Sequence, residues 1–132
     1  MAKDDQKVLK ANEAFYSALI NSDYQAMESL WAHASDVAVI HPGWPPLHGR
    51  EAVMDSWQRI LDGGSTRGMY CANAVCYLMS GVAFVICSES FPEGELAATN
   101  IFVREDGDWK IVHHQGGPIQ SMNDDEAPER VH

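Results

Sequence analysis

Three prolines in the run Pro42-Gly43-Trp44-Pro45-Pro46 constrain this chain more than any other stretch. Each fixes its own φ and withholds a backbone donor, so the run can continue neither a sheet ladder nor a helix. It is a stiff loop, and it carries Trp44. Before it, Asp36 to His41 reads as a short apolar strand. Alternation with period 2 puts Val37, Val39 and His41 on one side and Ala38 and Ile40 on the other. After it, helix resumes near Arg50, with Val53, Trp57, Ile60 and Leu61 at core-facing spacing and Gly63-Gly64 as the stop. Strand, rigid loop and amphipathic helix thus follow within one turn of chain, and one strand face carries a histidine beside two valines.

Upstream, Val8, Ala11, Phe15, Ala18 and Leu19 form a helical stripe that Leu9, Tyr16 and Ile20 widen, which predicts a long helix from about residue 4 to 20. Ser22-Asp23-Tyr24-Gln25 has the capping-box form S-x-x-Q and predicts a second, shorter helix through Ala26, Met27, Leu30 and Trp31. Beyond Gly68 the pattern turns to apolar runs separated by turn residues. Met69–Met79 and Val82–Phe91 flank Ser80-Gly81, and Leu96–Arg104 follows Pro92-Glu93-Gly94. Trp109–His114 follows Asp106-Gly107 and ends at Gly116-Gly117-Pro118. Four consecutive antiparallel strands result. The expected class is α+β, with three N-terminal helices packed on a strongly curved, mostly antiparallel sheet.

At 132 residues the chain is long enough for one domain, read here as 1–120, followed by a flexible acidic tail over 121–132. Nineteen acidic against nine basic residues give a formal charge of −10, which repels phosphate backbones and anionic lipid, so neither nucleic acid nor membrane is an expected partner. Cys71, Cys76 and Cys87 cannot all pair and lack C-x-x-C spacing, so they read as reduced residues of a cytoplasmic protein. No apolar run reaches the length of a membrane span, and the first ten residues lack the apolar core of a secretion signal.

Several pieces together resemble the NTF2-like, SnoaL-like α+β proteins, a group that includes ketosteroid isomerases, scytalone dehydratase, limonene epoxide hydrolase and polyketide cyclases. They are Asn21-Ser22-Asp23, Pro45-Pro46-Leu47-His48-Gly49-Arg50-Glu51, Thr99-Asn100-Ile101-Phe102, and Gly107-Asp108-Trp109-Lys110-Ile111-Val112-His113-His114. The resemblance covers about residues 5 to 118. It implies a cone-shaped half-barrel with a deep apolar pocket and a homodimer formed through the sheet. It also implies site positions: the general-base aspartate of the ketosteroid isomerases falls at His41, their oxyanion-hole aspartic acid at Asn100, and their oxyanion-hole tyrosine at Phe15, with Tyr16 about 100° further around the helix.

The residues themselves leave alternatives open. His41 titrates near neutrality and, desolvated by Val37, Val39, Trp44 and Trp57, would stay neutral as a base; otherwise it bonds a loop carbonyl. Asn100 either donates to a substrate oxygen or pairs with a neighbouring strand. His113 and His114 point to opposite faces, and the more apolar set Trp109, Ile111, His113 is the expected inner one, which makes His113 a candidate pocket residue or else a dimer contact. Trp44 is the expected ligand contact at the mouth, with Phe15 and Trp57 as further wall. Glu89 is either an acid partnering His41 or, in the preferred reading, an exposed edge charge. Arg50, Glu51 and His48 read as structural. The spacings of His41, His48, His113 and Glu89 match no metal motif, so no metal and no cofactor are expected. Two functions remain: a cofactor-free isomerase, cyclase or dehydratase acting on a hydrophobic carbonyl compound, with His41 and Asn100 catalytic; or a non-catalytic homodimeric ligand-binding or assembly module.

Overall fold

A computed structural model describes residues 3–120; the tail expected over 121–132 lies outside them. The long helix α1 spans Asp4–Ile20, with Asp4 and Asp5 at its positive end and Val8, Asn12, Phe15, Tyr16, Ala18 and Leu19 buried along one face. Helix α2 is Tyr24–Leu30. Its cap is Asp23, whose carboxylate accepts from the Ala26 amide at 3.1 Å, one residue later than the capping box places it. Ser22 instead turns the chain with φ +52°, which removes it from the cap.

The strand of the organising stretch is β1, Ala38–Ile40. The proline loop is closed by the Trp44 amide on the His41 carbonyl at 2.9 Å. The chain then returns along β1 as a two-residue strand that the sequence did not announce, β2, Leu47–His48, which pairs antiparallel with Ala38 and Val39. Helix α3 runs Arg50–Gly63. Gly49 before it has φ +89°, a conformation open mainly to glycine, and links the two elements: its N–H bonds the Val37 carbonyl and its carbonyl accepts the Val53 amide. The meander comprises β3, Tyr70–Leu78; β4, Val82–Phe91; β5, Gly94–Glu105; and β6, Asp108–Pro118.

The six strands of the described residues form one sheet in the order β2-β1-β6-β5-β4-β3. Every junction is antiparallel except β1 on β6, which is parallel and sets Val39 beside His114. The helices fill the hollow of this curved sheet. Trp31, Phe15, Phe102, Met27, Ile111, Val39 and Val53 are fully buried between the layers. Cys71, Cys76 and Cys87 are free thiols. Among the described residues no helix is long and apolar enough to cross a membrane.

Two irregularities decide which side chains face inward. Between β3 and β4 the register slips after Ala72, leaving Asn73 at φ +59°. Between β5 and β6, Ile101 pairs with His113 but Phe102 pairs with Ile111, so Val112 is an extra residue, a bulge. The bulge reverses the alternation. Trp109 and Ile111 are buried before it, His114 and Gly116 after it.

Arg50 holds the far end of the helical layer as the structural residue expected. Its guanidinium donates to the carbonyls of Trp31 and Ala32, each at 3.0 Å, and of Glu28 at 2.8 Å, groups that the end of α2 leaves without helical partners. Arg50→Met keeps the aliphatic stem but strands these acceptors. Charged hydrogen bonds of this kind contribute about 1.5–3 kcal/mol, and urea denaturation should show a loss of at least about that size for the set. An unchanged midpoint would mean that water replaces the guanidinium without cost.

Candidate functional site

A cavity of about 360 Å³ opens between the hollow face of the sheet and the ends of α1 and α3. The proline loop supplies His41, Pro42 and Trp44, α3 supplies Trp57 and Ile60, β4 supplies Glu89 and Phe91, and β6 supplies His114. Leu19, Met69 and Leu96 add apolar wall and Ser65, Thr66 and Glu93 add polar groups, and among the described residues no lysine or arginine lines it. Among the described residues no group of three or more His, Cys, Asp or Glu side chains is placed to hold a metal ion.

His41 follows β1 directly and is 3% exposed. Its ring stands edge-on to Trp44 at 4.9 Å and to Trp57 at 4.6 Å between centroids. Its Nε2 lies 2.8 Å from the Ser56 Oγ. Ser56 has one hydroxyl hydrogen and donates it to the Val53 carbonyl at 2.7 Å, so toward His41 it can only accept. His41 therefore carries its proton on Nε2 and keeps a lone pair on Nδ1. Burial lowers its pKa from 6.5 to about 4, so the ring is neutral at physiological pH.

Glu89 and His114 on the opposite wall lead into a second set of polar groups buried behind them. The Tyr16 hydroxyl donates to Glu89 Oε2 at 2.6 Å. Asn100 Nδ2 donates to Asn12 Oδ1 at 2.8 Å and to the Tyr16 oxygen at 3.1 Å. The Cys87 thiol donates to the same Tyr16 oxygen at 3.3 Å. His114 Nδ1 lies 2.5 Å from Asn100 Oδ1. With both Asn100 N–H groups engaged, that oxygen accepts and His114 Nδ1 bears the hydrogen. This leaves Nε2 as a lone pair, 3.8 Å from Glu89 Oε2. Burial, and to a smaller degree the neighbouring His41 and His113, lowers the His114 pKa to about 3. Burial raises the Glu89 carboxyl above the ordinary carboxylate range, against the pull of its Tyr16 bond. Burial and the adjacent Glu89 keep the Tyr16 phenol protonated.

The residues singled out from sequence are thus distributed over three places. His41, Trp44 and Trp57 stand on the cavity wall. Phe15 and Asn100 are fully buried behind it. Phe15 packs edge-on against Trp57 at 5.5 Å, and it is Tyr16, further around the helix, that reaches the polar set. Asn100 has no N–H left for a ligand. His113, expected on the inner face, lies on the other one with its Nδ1 3.0 Å from the Ala38 carbonyl, because the bulge at Val112 turns His114 inward in its place. Glu89 is not the exposed edge charge expected but 4% exposed, since Tyr16 gives it a buried partner. Ser56 and Asn12 escaped notice; each is a polar residue on the buried face of its helix, Ser56 beside Val53 and Trp57 and Asn12 between Val8 and Phe15.

Two buried neutral histidines make stability depend on pH. Below about 6.5 the unfolded chain takes up a proton on each, whereas the folded chain does not until near 4 and 3, so stability falls as pH drops through that window. Each pH unit is worth up to about 1.4 kcal/mol per histidine. Glu89 acts in the reverse sense, losing stability as pH rises from 4.5 through its raised folded pKa. Urea unfolding at pH 7 and pH 5 should therefore give a lower stability at pH 5, and His41→Gln should flatten the slope; an equal slope in the variant would contradict the neutral buried ring.

Comparison with known proteins places this geometry. A crystal structure of a proposed dehydratase of the NTF2-like family from Streptomyces avermitilis is 29% identical, covering 89% of this chain and 97% of that one with a TM-score of 0.80. A proposed calcium/calmodulin-dependent protein kinase type II association domain from Thiobacillus denitrificans is 30% identical, covering 83% of this chain and 93% of that one with a TM-score of 0.70. The F-box protein SKIP8 of Arabidopsis thaliana is 24% identical over 109 residues, 81% of this chain and 47% of that protein, so the chain spans about half the length of this curated relative. The family model described as SnoaL-like domain matches residues 8–120, from the first buried valine of α1 to beyond the end of β6. The chain belongs to the SnoaL-like family and has the NTF2-like α+β cone fold.

Proposed function

We propose that the cavity is the site of a cofactor-free isomerase, cyclase or dehydratase acting on a small, hydrophobic, uncharged carbonyl compound by acid–base catalysis. The observation that carries this reading is the Ser56–His41 bond, which leaves the Nδ1 lone pair of a buried, neutral ring as a base. With a pKa of about 4 its strength is that of an ordinary carboxylate of about 3.9, the kind of group that the related isomerases carry at this position. Glu89 is the acid. Its Oε2 accepts from Tyr16, so a proton on the carboxyl sits on Oε1, available to a carbonyl oxygen. In a shift of a double bond, His41 takes a proton from the carbon beside the carbonyl, the C–H electrons pass into an enolate held by Glu89, and His41 returns the proton to another carbon. Asn100 in this reading is a positioning residue that fixes the His114 tautomer. The acidic Glu93 on the wall disfavours carboxylate substrates, and the likeness to a proposed dehydratase supports the reaction class.

The reading requires His41 neutral and Glu89 protonated. As pH falls through about 4, His41 gains a proton and the base is lost; as pH rises through the Glu89 pKa, above 4.5, the acid is lost. Once a thermal-shift screen of hydrophobic ketones, lactones and epoxides has supplied a substrate, kcat/KM should trace a bell with its acid limb near pH 4. His41→Ala should lower kcat by about 10²–10⁴-fold, the usual worth of a positioned base. Full turnover in that variant would end the proposal.

One observation favours the second reading, a ligand-binding or assembly module: the similarity to a proposed association domain. Both readings share a homodimer through the outer sheet face, where Val75, Tyr77 and Ile86 are 50%, 46% and 43% exposed on adjoining strands and Tyr77 stacks on Phe84 at 4.7 Å. Light scattering after gel filtration should give twice the chain mass for the protein and the single mass for Ile86→Glu. A monomeric wild type would refute the dimer.

A further inference from the structure

A second cavity, of about 370 Å³, opens between α1 and β3, and Asn12, Tyr16 and Cys71 line it from the far side of the buried polar set. None of the three lines the first cavity. Two thiols meet here. Asn12 Nδ2 donates to the Cys71 Sγ at 3.9 Å, and the Cys87 thiol donates to the Tyr16 oxygen at 3.3 Å. Asn12 and Tyr16 stand one turn apart on α1 and are both held by the Asn100 amide, so the two sulfurs are anchored on neighbouring groups.

The register of the strands explains the meeting. Cys71 pairs with Glu89, two residues beyond Cys87, and Cys87 falls between Ser88, opposite Ala72, and Ile86, opposite Val75. What faces Cys87 is therefore the surplus pair Asn73-Ala74, with Asn73 at φ +59°. Diagonal neighbours in a regular ladder stand about 7–8 Å apart, too far for a disulfide, but a bulge bends its strand. Across this one the Cys71 and Cys87 thiols are hydrogen-bonded to each other. That bond pulls the Cys87 pKa below the ordinary thiol range, helped by Tyr16 and opposed by burial, and together with burial it pushes Cys71 up. Cys76, further along β3, is moved only by burial and Asp5.

We propose that Cys71 and Cys87 are a modification site for hydrogen peroxide, which converts them into a reversible disulfide between β3 and β4. The site is separate from the carbonyl cavity and stands whatever that cavity binds. Peroxide is little larger than water and enters by the second cavity, where Cys71 is half-buried in the wall and Cys87 lies behind it, 3% exposed. Cys87 as thiolate attacks one peroxide oxygen, the O–O bond breaks, and the departing hydroxide takes the Cys71 proton and leaves as water. Cys87 is then a sulfenic acid. The Cys71 thiolate attacks its sulfur, the S–O bond breaks, and the hydroxide regains the proton that Cys87 first gave up. Two thiols and one peroxide become one disulfide and two waters; the sulfurs lose two electrons and the peroxide gains them. A dithiol reverses the step by exchange.

Peroxide treatment of the whole folded chain, alkylation of the remaining thiols with iodoacetamide and peptide mapping without reduction test the pairing. The three free thiols should fall to one, at Cys76, with a crosslinked peptide joining Cys71 to Cys87 and the chain lighter by two hydrogens. Dithiothreitol should restore all three. Cys76→Ser should form the same bridge, and Cys71→Ser should leave a sulfenic acid on Cys87 that dimedone traps. The same treatment in urea should scatter the pairings, since it is the fold that brings these two sulfurs together. Three alkylated thiols after peroxide overturn the proposal, as does a bridge through Cys76, within one chain or between two, or oxidation past sulfenic acid with no bridge. Should Cys71→Ser fail to fold, the map of the wild type alone still decides.

Discussion

Asn100 is the junction on which the interior depends. From the middle of β5 its carbonyl oxygen accepts from His114 on β6, and its two N–H groups donate to Asn12 and Tyr16 on α1, which ties helix to sheet through one amide. Burying an amide without partners is costly, and Asn100 is completely buried with a partner for every hydrogen. The bonds are directional, so they also fix which way α1 is rotated about its axis. That rotation sends Tyr16 to Glu89 and leaves Phe15 to pack against Trp57. An aliphatic residue at position 100 would fill the space but would release both the helix face and the His114 tautomer.

Low polarity inside the cavity acts in opposite directions on acids and bases. It disfavours the cationic imidazoles of His41 and His114 and the anionic carboxylate of Glu89, so it lowers the first two and raises the third. The consequence is an interval of pH in which the His41 imidazole and the Glu89 carboxyl are both uncharged, without any ion having been taken from water. Trp44, Trp57, Phe91 and Leu96 bring this about by excluding solvent, and they are the apolar wall any hydrophobic ligand would meet.

How far the chain could be read beforehand follows from whether each feature is written locally. The helix α1 was legible because its stripe repeats for four turns, and the meander because Ser80-Gly81, Pro92-Glu93-Gly94 and Asp106-Gly107 punctuate it. Strand β2 was not legible: two residues show no periodicity, and they pair only because the prolines fold the loop back on β1. The failure at His113 has a different origin. A bulge is a mismatch in count between two strands, and nothing in Ile111-Val112-His113-His114 marks Val112 as the unpaired residue. Glu89 was misread because the partner that makes its burial tolerable lies 73 residues away on α1. Asn12 and Ser56 were visible as polar residues on apolar stripes, the one local sign of the buried set.

The parallel pairing of β1 with β6 has a consequence in time. His41 and His114 face one cavity because Val39 and His114 are neighbours across this junction, which joins two segments on either side of the whole meander. Closing so long a loop carries an entropic penalty that is met only once β6 has paired with β5. During synthesis the helices and the first hairpins can form while the ribosome is still at work, but the proline loop has nothing to lie against until β6 has emerged. The cavity is therefore among the last parts of this fold to form, and its aromatic wall stays uncovered until β6 is in place.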